Sequence, residues 1–136
     1  MKSLRLASSV RAEIIAHSLD DAPLECCGLI GGVAGQARSI HRTRNSFESP
    51  SRYAVHPTDQ LRSINAIEDA GEQLVAIYHS HTRSPAWPSP TDINLARNWP
   101  DPVYLICSVF DPDTIELRGF LLGGGGVEEV EIASDV

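Results

Sequence analysis

Five nearly all-apolar residues, Leu74 to Tyr78, run directly into His-Ser-His. A run of this kind reads as a central strand covered on both faces, so the chain must build a sheet with material packed on either side. Side chains alternate along a strand with period two, which puts His79 and His81 on one face at the sheet's end. Two imidazoles so placed can converge on one ion. Ser89 follows His81 after seven intervening residues, and Asp92 lies three further on. A carboxylate beside two imidazoles gives a three-residue ligand set, and a tetrahedral zinc held by three protein groups keeps its fourth position open for water and hence for chemistry.

At average amino-acid usage such an arrangement arises on the order of once in several thousand chains of this length, which makes the combined motif specific. Its parts are less so. A lone histidine at a strand end is more often a satisfied core residue. Ser-Pro-Thr-Asp is also a good helix start, with Ser89 as N-cap, Pro90 at the first helical position and Asp92 reaching back in a capping box. Asp92 can serve both ends, one oxygen on a metal and the other on a backbone N–H. For Ser89 the alternatives stay open, because a hydroxyl committed to capping is not free to donate to a reaction intermediate.

The remaining segments supply the sheet and its cover. Leu4 and Leu6 alternate with polar neighbours as a short strand, and Ser9 to Ser18 has helical periodicity through Val10, Ile14 and Ile15, ended by Asp20 to Pro23. Cys26 to Ile30 reads as a buried strand, with Gly31, Gly32 and Gly35 predicting a turn into a strand over Ala37 to Thr43. Tyr53 to His56 is a third short candidate. Pro57 opens a helix to Ala70, with Leu61, Ile64 and Ile67 on one face and Gly71 as its stop. After the motif come a short helix through Ile93, Leu95 and Ala96, a buried strand over Val103 to Phe110, and strands over Glu116 to Leu122 and Val127 to Ile132. No repeat or interdomain linker interrupts the series. The expected fold is one α/β (α+β) domain over residues 1–136, a single-layer mixed β-sheet flanked by helices.

A chain of 136 residues can build a core without staples. Its three cysteines, Cys26, Cys27 and Cys107, are an odd and sparse set lying in apolar strands, which predicts inert core thiols in a reducing cytoplasm. The net charge of -7 argues against nucleic acid and against anionic membrane surfaces as partners. The first ten residues lack an apolar signal core, and no apolar stretch is long enough to span a bilayer.

Zinc-assisted hydrolysis also calls for a base. Glu25 stands just before the buried run, in Pro-Leu-Glu-Cys-Cys-Gly-Leu-Ile-Gly-Gly, where apolar neighbours would raise a carboxyl's pKa. Taken alone it reads as a surface acid continuing the Asp20, Asp21 patch.

Together, Glu25 with Cys-Cys-Gly-Leu-Ile-Gly-Gly, and His79, His81, Ser89 and Asp92 at their spacing, resemble the JAMM (MPN-plus) metallopeptidases, whose fold is related to that of cytidine deaminases. The resemblance covers most of the chain. It implies one zinc per chain bound by His79, His81 and Asp92, with Glu25 as general acid/base and Ser89 steadying the oxyanion of the intermediate. His-Ser-His-Thr, closing in Pro-Ser-Pro-Thr-Asp, is most similar to the small bacterial Mec-type members. That likeness implies hydrolysis after the C-terminal Gly-Gly of a ubiquitin-like sulfur-carrier protein, releasing cysteine from a carrier–cysteine adduct.

Two alternatives accompany this reading: an isopeptidase that removes ubiquitin-like proteins from lysines, and a non-catalytic scaffold or binding module of the same fold. A zinc nucleobase deaminase would carry His-x-Glu and Pro-Cys-x-x-Cys, which this sequence lacks. An extended carrier tail is expected to bind by strand addition beside a sheet edge. Trp87, with Arg83, Pro85 and Pro88, either walls that channel or packs beneath its own loop. Arg42, Arg44, Asn45, Ser46 and His56 fall outside the predicted site. A homodimer is compatible with a small domain that has exposed sheet edges.

Overall fold

Leu4 and Leu6 are buried in β1 (Ser3–Ala7), while Ser3 and Arg5 are exposed, the expected alternation. The computed structural model describes residues 3–135. Helix α1 (Ser8–Asp21) buries Val10 and Ile14 and runs beyond Ser18 to Asp21, where Ala22 and Pro23 stop it. A proline disfavours the helical conformation in the residue before it.

β2 (Cys27–Val33) and β3 (Gln36–Thr43) form an antiparallel hairpin. Its turn is Ala34-Gly35, both with positive φ (52° and 76°). Gly31 and Gly32, expected in the turn, instead stay inside β2. A Cβ on Gly32 would strike the Gln36 carbonyl, and one on Gly31 would strike the Glu72 and Ser39 side chains. These glycines thus answer close approach and a local register shift rather than a chain reversal.

The segment after β3 differs from expectation. Tyr53 to His56 is not a strand, and its ladder contact is the single bridge between Asn45 and Val55. Helix α2 (Pro57–Asp69) begins at His56, whose ring accepts the Thr58 N–H at 3.3 Å. It buries Asp59, Ser63 and Ile67, spaced by four, and leaves Leu61 64% exposed. Polar residues occupy the inner face because each is satisfied. The Asp59 carboxylate accepts the Arg44 backbone N–H and guanidinium, and the Ser63 hydroxyl donates to the Asp59 carbonyl.

β4 (Gln73–His81), α3 (Pro90–Ala96), β5 (Val103–Ser108), β6 (Glu116–Leu121) and β7 (Glu128–Asp135) follow. The mixed sheet has the order β1-β3-β2-β4-β5-β6-β7, and β1 also pairs in parallel with β7, so the sheet closes on itself. β4 is central, antiparallel to β2 and parallel to β5. One face of β4, through Ala76 and Tyr78, packs with Val10 and Ile14 of α1, and the other, through Ile77, joins Ala96 of α3. This is the two-sided cover that an uninterrupted apolar strand requires. Cys26, Cys27 and Cys107 are buried free thiols, and burial pushes the first two up to about 11 and about 12. Among the described residues no helix is long and apolar enough to cross a membrane.

Candidate metal centre

The last residues of β4 carry His79 and His81 to one face, where they are 0% and 3% exposed. Asp92 comes to the same point from the first turn of α3. Its placement follows from the capping box: the Ser89 hydroxyl accepts the Asp92 N–H at 3.0 Å, and Asp92 Oδ2 accepts the Ser89 N–H at 3.0 Å. His79 Nε2, His81 Nε2 and Asp92 Oδ2 then face one another at 3.2, 3.1 and 3.2 Å. These atoms form a group that could hold a metal ion. Ligand atoms of a tetrahedral zinc with bonds of about 2.0–2.1 Å stand about 3.3–3.4 Å apart, so the spacing fits.

Supporting contacts orient the rings. His81 Nδ1 lies 2.9 Å from the Pro85 carbonyl and 3.1 Å from Ser84 Oγ. A proton on Nδ1 donated to that carbonyl leaves the Nε2 lone pair directed at the cluster, the usual partner arrangement of a metal-binding histidine. His79 is held differently. Its Nδ1 is buried with no hydrogen-bond partner among the described residues, and the Tyr53 ring stacks on its face at 4.0 Å and 15°. Burial keeps the His79 pKa below the ordinary histidine value, although Asp92 opposes this. Burial also disfavours charge on His81, but hydrogen bonds from its ring to the Asp92 carboxylate and the Pro85 carbonyl prevail and raise it. Burial works against ionised Asp92 too, yet His79, His81 and the Ser89 N–H hold it well below the carboxylate range.

Glu25 sits at the entrance to β2 and is 5% exposed, not on the surface. Its Oε1 is buried with no hydrogen-bond partner among the described residues. Burial, with a smaller contribution from Asp92 and against the pull of His81, raises its pKa to about 7. Its backbone is tied at both ends, the N–H to the Ser49 carbonyl at 2.8 Å and the C=O to Asn45 Nδ2 at 3.1 Å. The next residue, Cys26, donates its N–H to Ser80 Oγ at 2.8 Å, which fastens the β2 entrance to the residue between the two histidines. A cleft of about 530 Å³ opens beside Glu25, with Leu24, Arg44, Asn45 and His56 among its walls. Three ligand atoms thus converge at the end of β4, and a buried carboxyl with a raised pKa, near enough to feel the charges of His81 and Asp92, borders a cleft at the β2 entrance.

A sequence profile of the prokaryotic homologs of the JAB domain matches residues 7–120. The chain belongs to this family. It is 39% identical over 126 residues to the CysO-cysteine peptidase of Mycobacterium tuberculosis (strain ATCC 25618 / H37Rv), covering 88% of this chain and 86% of that one. It is 42% identical over 114 residues to a probable TtuB-protein conjugate cleaving protease of Thermus thermophilus, covering 83% of this chain and 72% of the other. A solution structure of a protein from Desulfitobacterium hafniense matches it with a TM-score of 0.89 at 31% identity, over 97% of this chain and 92% of that one.

Other residues singled out in the sequence of this JAB-family chain have local tasks. Arg42 pairs with Glu13 and Asp20, Arg44 with Asp59, and His56 caps α2. Trp87 is 50% exposed, its ring meeting Phe120 edge to face at 5.3 Å with the Arg118 guanidinium 5.4 Å away. It therefore packs on β6 and still presents a surface, while Pro88 is buried beneath the loop and Arg83 and Pro85 are exposed. Sequence reasoning did not find Tyr53 behind His79 or Asn45 on the Glu25 carbonyl. The Asn45 side chain does accept the Phe47 N–H at 3.0 Å, an Asx turn that the local sequence could have signalled.

Proposed function

We propose that this chain is a zinc-dependent peptidase that hydrolyses the bond after the C-terminal Gly-Gly of a ubiquitin-like sulfur-carrier protein, releasing cysteine from a carrier–cysteine adduct. The observation that carries the reading is the convergence of His79, His81 and Asp92 within 3.1–3.2 Å, in a chain 39% identical to a CysO-cysteine peptidase. One zinc ion per chain, held by these three residues, would supply Lewis acidity and an acidified water. Glu25 Oε1 takes one proton of the attacking water as its oxygen forms the new C–O bond and delivers that proton to the departing amine nitrogen as the C–N bond breaks. The carboxylic acid so formed loses its remaining proton to solvent. The Ser89 hydroxyl accepts a backbone N–H in the capping box, which leaves its own O–H to donate to the oxyanion of the intermediate.

The whole chain acts as one catalytic domain. Its buried free thiols suit a reducing cytoplasm, and its charge of -7 suits a protein partner rather than nucleic acid or membrane. The likeness to the T. thermophilus conjugate-cleaving protease supports a second substrate class, lysine isopeptide conjugates of the same carriers.

The test offers zinc-loaded protein the Gly-Gly-ending carriers of its host, each as a cysteine adduct and as a lysine conjugate, with products read by mass spectrometry. Chelator-sensitive, preferential release of cysteine is expected. Preference for the lysine conjugate moves the enzyme to deconjugation, and cleavage of neither returns the scaffold reading.

A further inference from the structure

Loop 45–55 touches the site at two separate places, and one side chain braces both. Asn45 uses its full hydrogen-bonding capacity. Its Nδ2 donates to the Glu25 carbonyl at 3.1 Å and to the Arg52 carbonyl at 2.9 Å, and its Oδ1 accepts the N–H groups of Phe47 at 3.0 Å and Ala54 at 3.1 Å. The Arg52 carbonyl and the Ala54 N–H flank Tyr53, the residue whose ring stacks on His79 at 4.0 Å. On its other side the same loop holds the Glu25 N–H through the Ser49 carbonyl at 2.8 Å. The Glu25 carboxyl itself has a buried, unpartnered Oε1, so its position depends on the backbone that carries it.

We propose that Asn45 is a positioning residue for the hydrolysis: it locks loop 45–55 so that the Glu25 backbone and the Tyr53 ring behind His79 are fixed in one frame. The inference rests on the reading of Glu25 as the base. Asn45 touches none of the reacting atoms and acts through the two residues it fastens. Its loss lets Glu25 drift, and a misplacement of about 1 Å can lower a rate on the order of 100-fold. Asn45 also borders the cleft beside Glu25, so tail binding is read separately in KM, while the positioning effect falls on kcat.

Two variants separate positioning from folding. Asn45→Ala removes all four bonds, whereas Asn45→Asp keeps size and acceptors, loses the two donors and sets a negative charge against the Glu25 and Arg52 carbonyls. Each is compared with Ser51→Ala, an exposed change in the same loop, and with Glu25→Gln, by zinc content, by kcat and KM on the cysteine adduct, and by amide hydrogen exchange of the zinc-loaded protein. Expected for both Asn45 variants are stoichiometric zinc, kcat lower by about 10- to 100-fold, KM within about twofold, and faster exchange at the Glu25 amide with β4 and β5 unchanged. Ser51→Ala should behave as wild type. An unchanged kcat alongside an inactive Glu25→Gln overturns the inference, as does a loss of rate accompanied by lost zinc or faster exchange throughout the sheet. Should Glu25→Gln keep wild-type turnover, the base assignment falls instead, and the exchange result alone still decides whether Asn45 fastens the Glu25 backbone.

Discussion

Glu25 carries opposed demands of folding and reactivity. Burial of its carboxyl, whose Oε1 has no hydrogen-bond partner among the described residues, disfavours the ionised form and raises the pKa to about 7 from 4.5. Between those values the folded state keeps a proton that the unfolded chain has released, so stability falls as pH rises and the whole loss is incurred above about pH 7. At about 1.4 kcal/mol per pKa unit the loss amounts to roughly 3 kcal/mol. Zinc-free Glu25→Gln is therefore expected to be more stable than zinc-free wild type by up to that amount at pH 8, with no difference of this origin at pH 4. Denaturant midpoints at the two pH values test it, and an equal offset at both would refute a titrating origin. The same variant, loaded with zinc, should lose turnover by about 100-fold or more.

Ser89 shows a second economy of groups. Its oxygen accepts the Asp92 N–H and retains its own proton, so the cap, which the sequence left open beside donation, does not use up the hydroxyl's proton. Ser89→Ala should cost about 1 kcal/mol of stability through the lost cap and also lower kcat, whereas Ser89→Thr keeps both functions. Thermal melts read beside steady-state kinetics distinguish the two losses, and a stability loss with unchanged kcat would leave Ser89 as a cap alone.

At the scale of elements, the parts of the site legible in the sequence are those gathered within a few turns of chain. His79, His81, Ser89 and Asp92 lie on one strand, its loop and the next helix start, so period-two alternation and the capping rule bring them together. Tyr53 and Asn45 were hidden because the residues they serve are far along the chain and the link is tertiary. The inner face of α2 includes Ile67 as expected but not Leu61, for a related reason. Apolar periodicity picks Leu61, but Asp59 and Ser63 can be buried once Arg44 and a backbone carbonyl satisfy them. Gly35 makes the expected turn, whereas Gly31 and Gly32 answer close approach, which only the neighbouring strand reveals.

The same kind of approach makes β2 a support for the histidines. Gly28 lies opposite Tyr78, and a Cβ there would strike the Tyr78 ring, which is wholly buried with its hydroxyl 2.6 Å from His17 Nδ1. Cys27 is the register partner of His79, the next residue along β4. Gly28→Ala should destabilise the protein by about 1–3 kcal/mol through overpacking and weaken zinc binding, because moving Tyr78 displaces the strand end that carries the ligands. A melt with zinc titration checks this, and unaltered zinc affinity would mean that β4 absorbs the strain before His79.

For the whole molecule, the proposed zinc would join elements that the backbone ladder does not. β4 is embedded in the closed sheet, whereas Asp92 arrives on α3, a helix of seven residues, too short to be stable alone. An ion shared by His79, His81 and Asp92 ties that helix to the sheet, and a ligand that binds only the folded state stabilises by about 4 kcal/mol at a thousand times its Kd. The ligands must be free of protons to bind. His81, whose pKa is raised in the metal-free site, is protonated across a wider range than an ordinary histidine, and zinc binding has to expel that proton. As pH falls the proton competes more strongly, so zinc stabilisation shrinks toward acid. Removing zinc with a chelator should accordingly lower Tm substantially at pH 8 and much less at pH 5.5. His81→Ala should abolish the chelator response at both values. A chelator-induced shift of the same size at both pH values, or one that survives in His81→Ala, would place the ion elsewhere in the molecule.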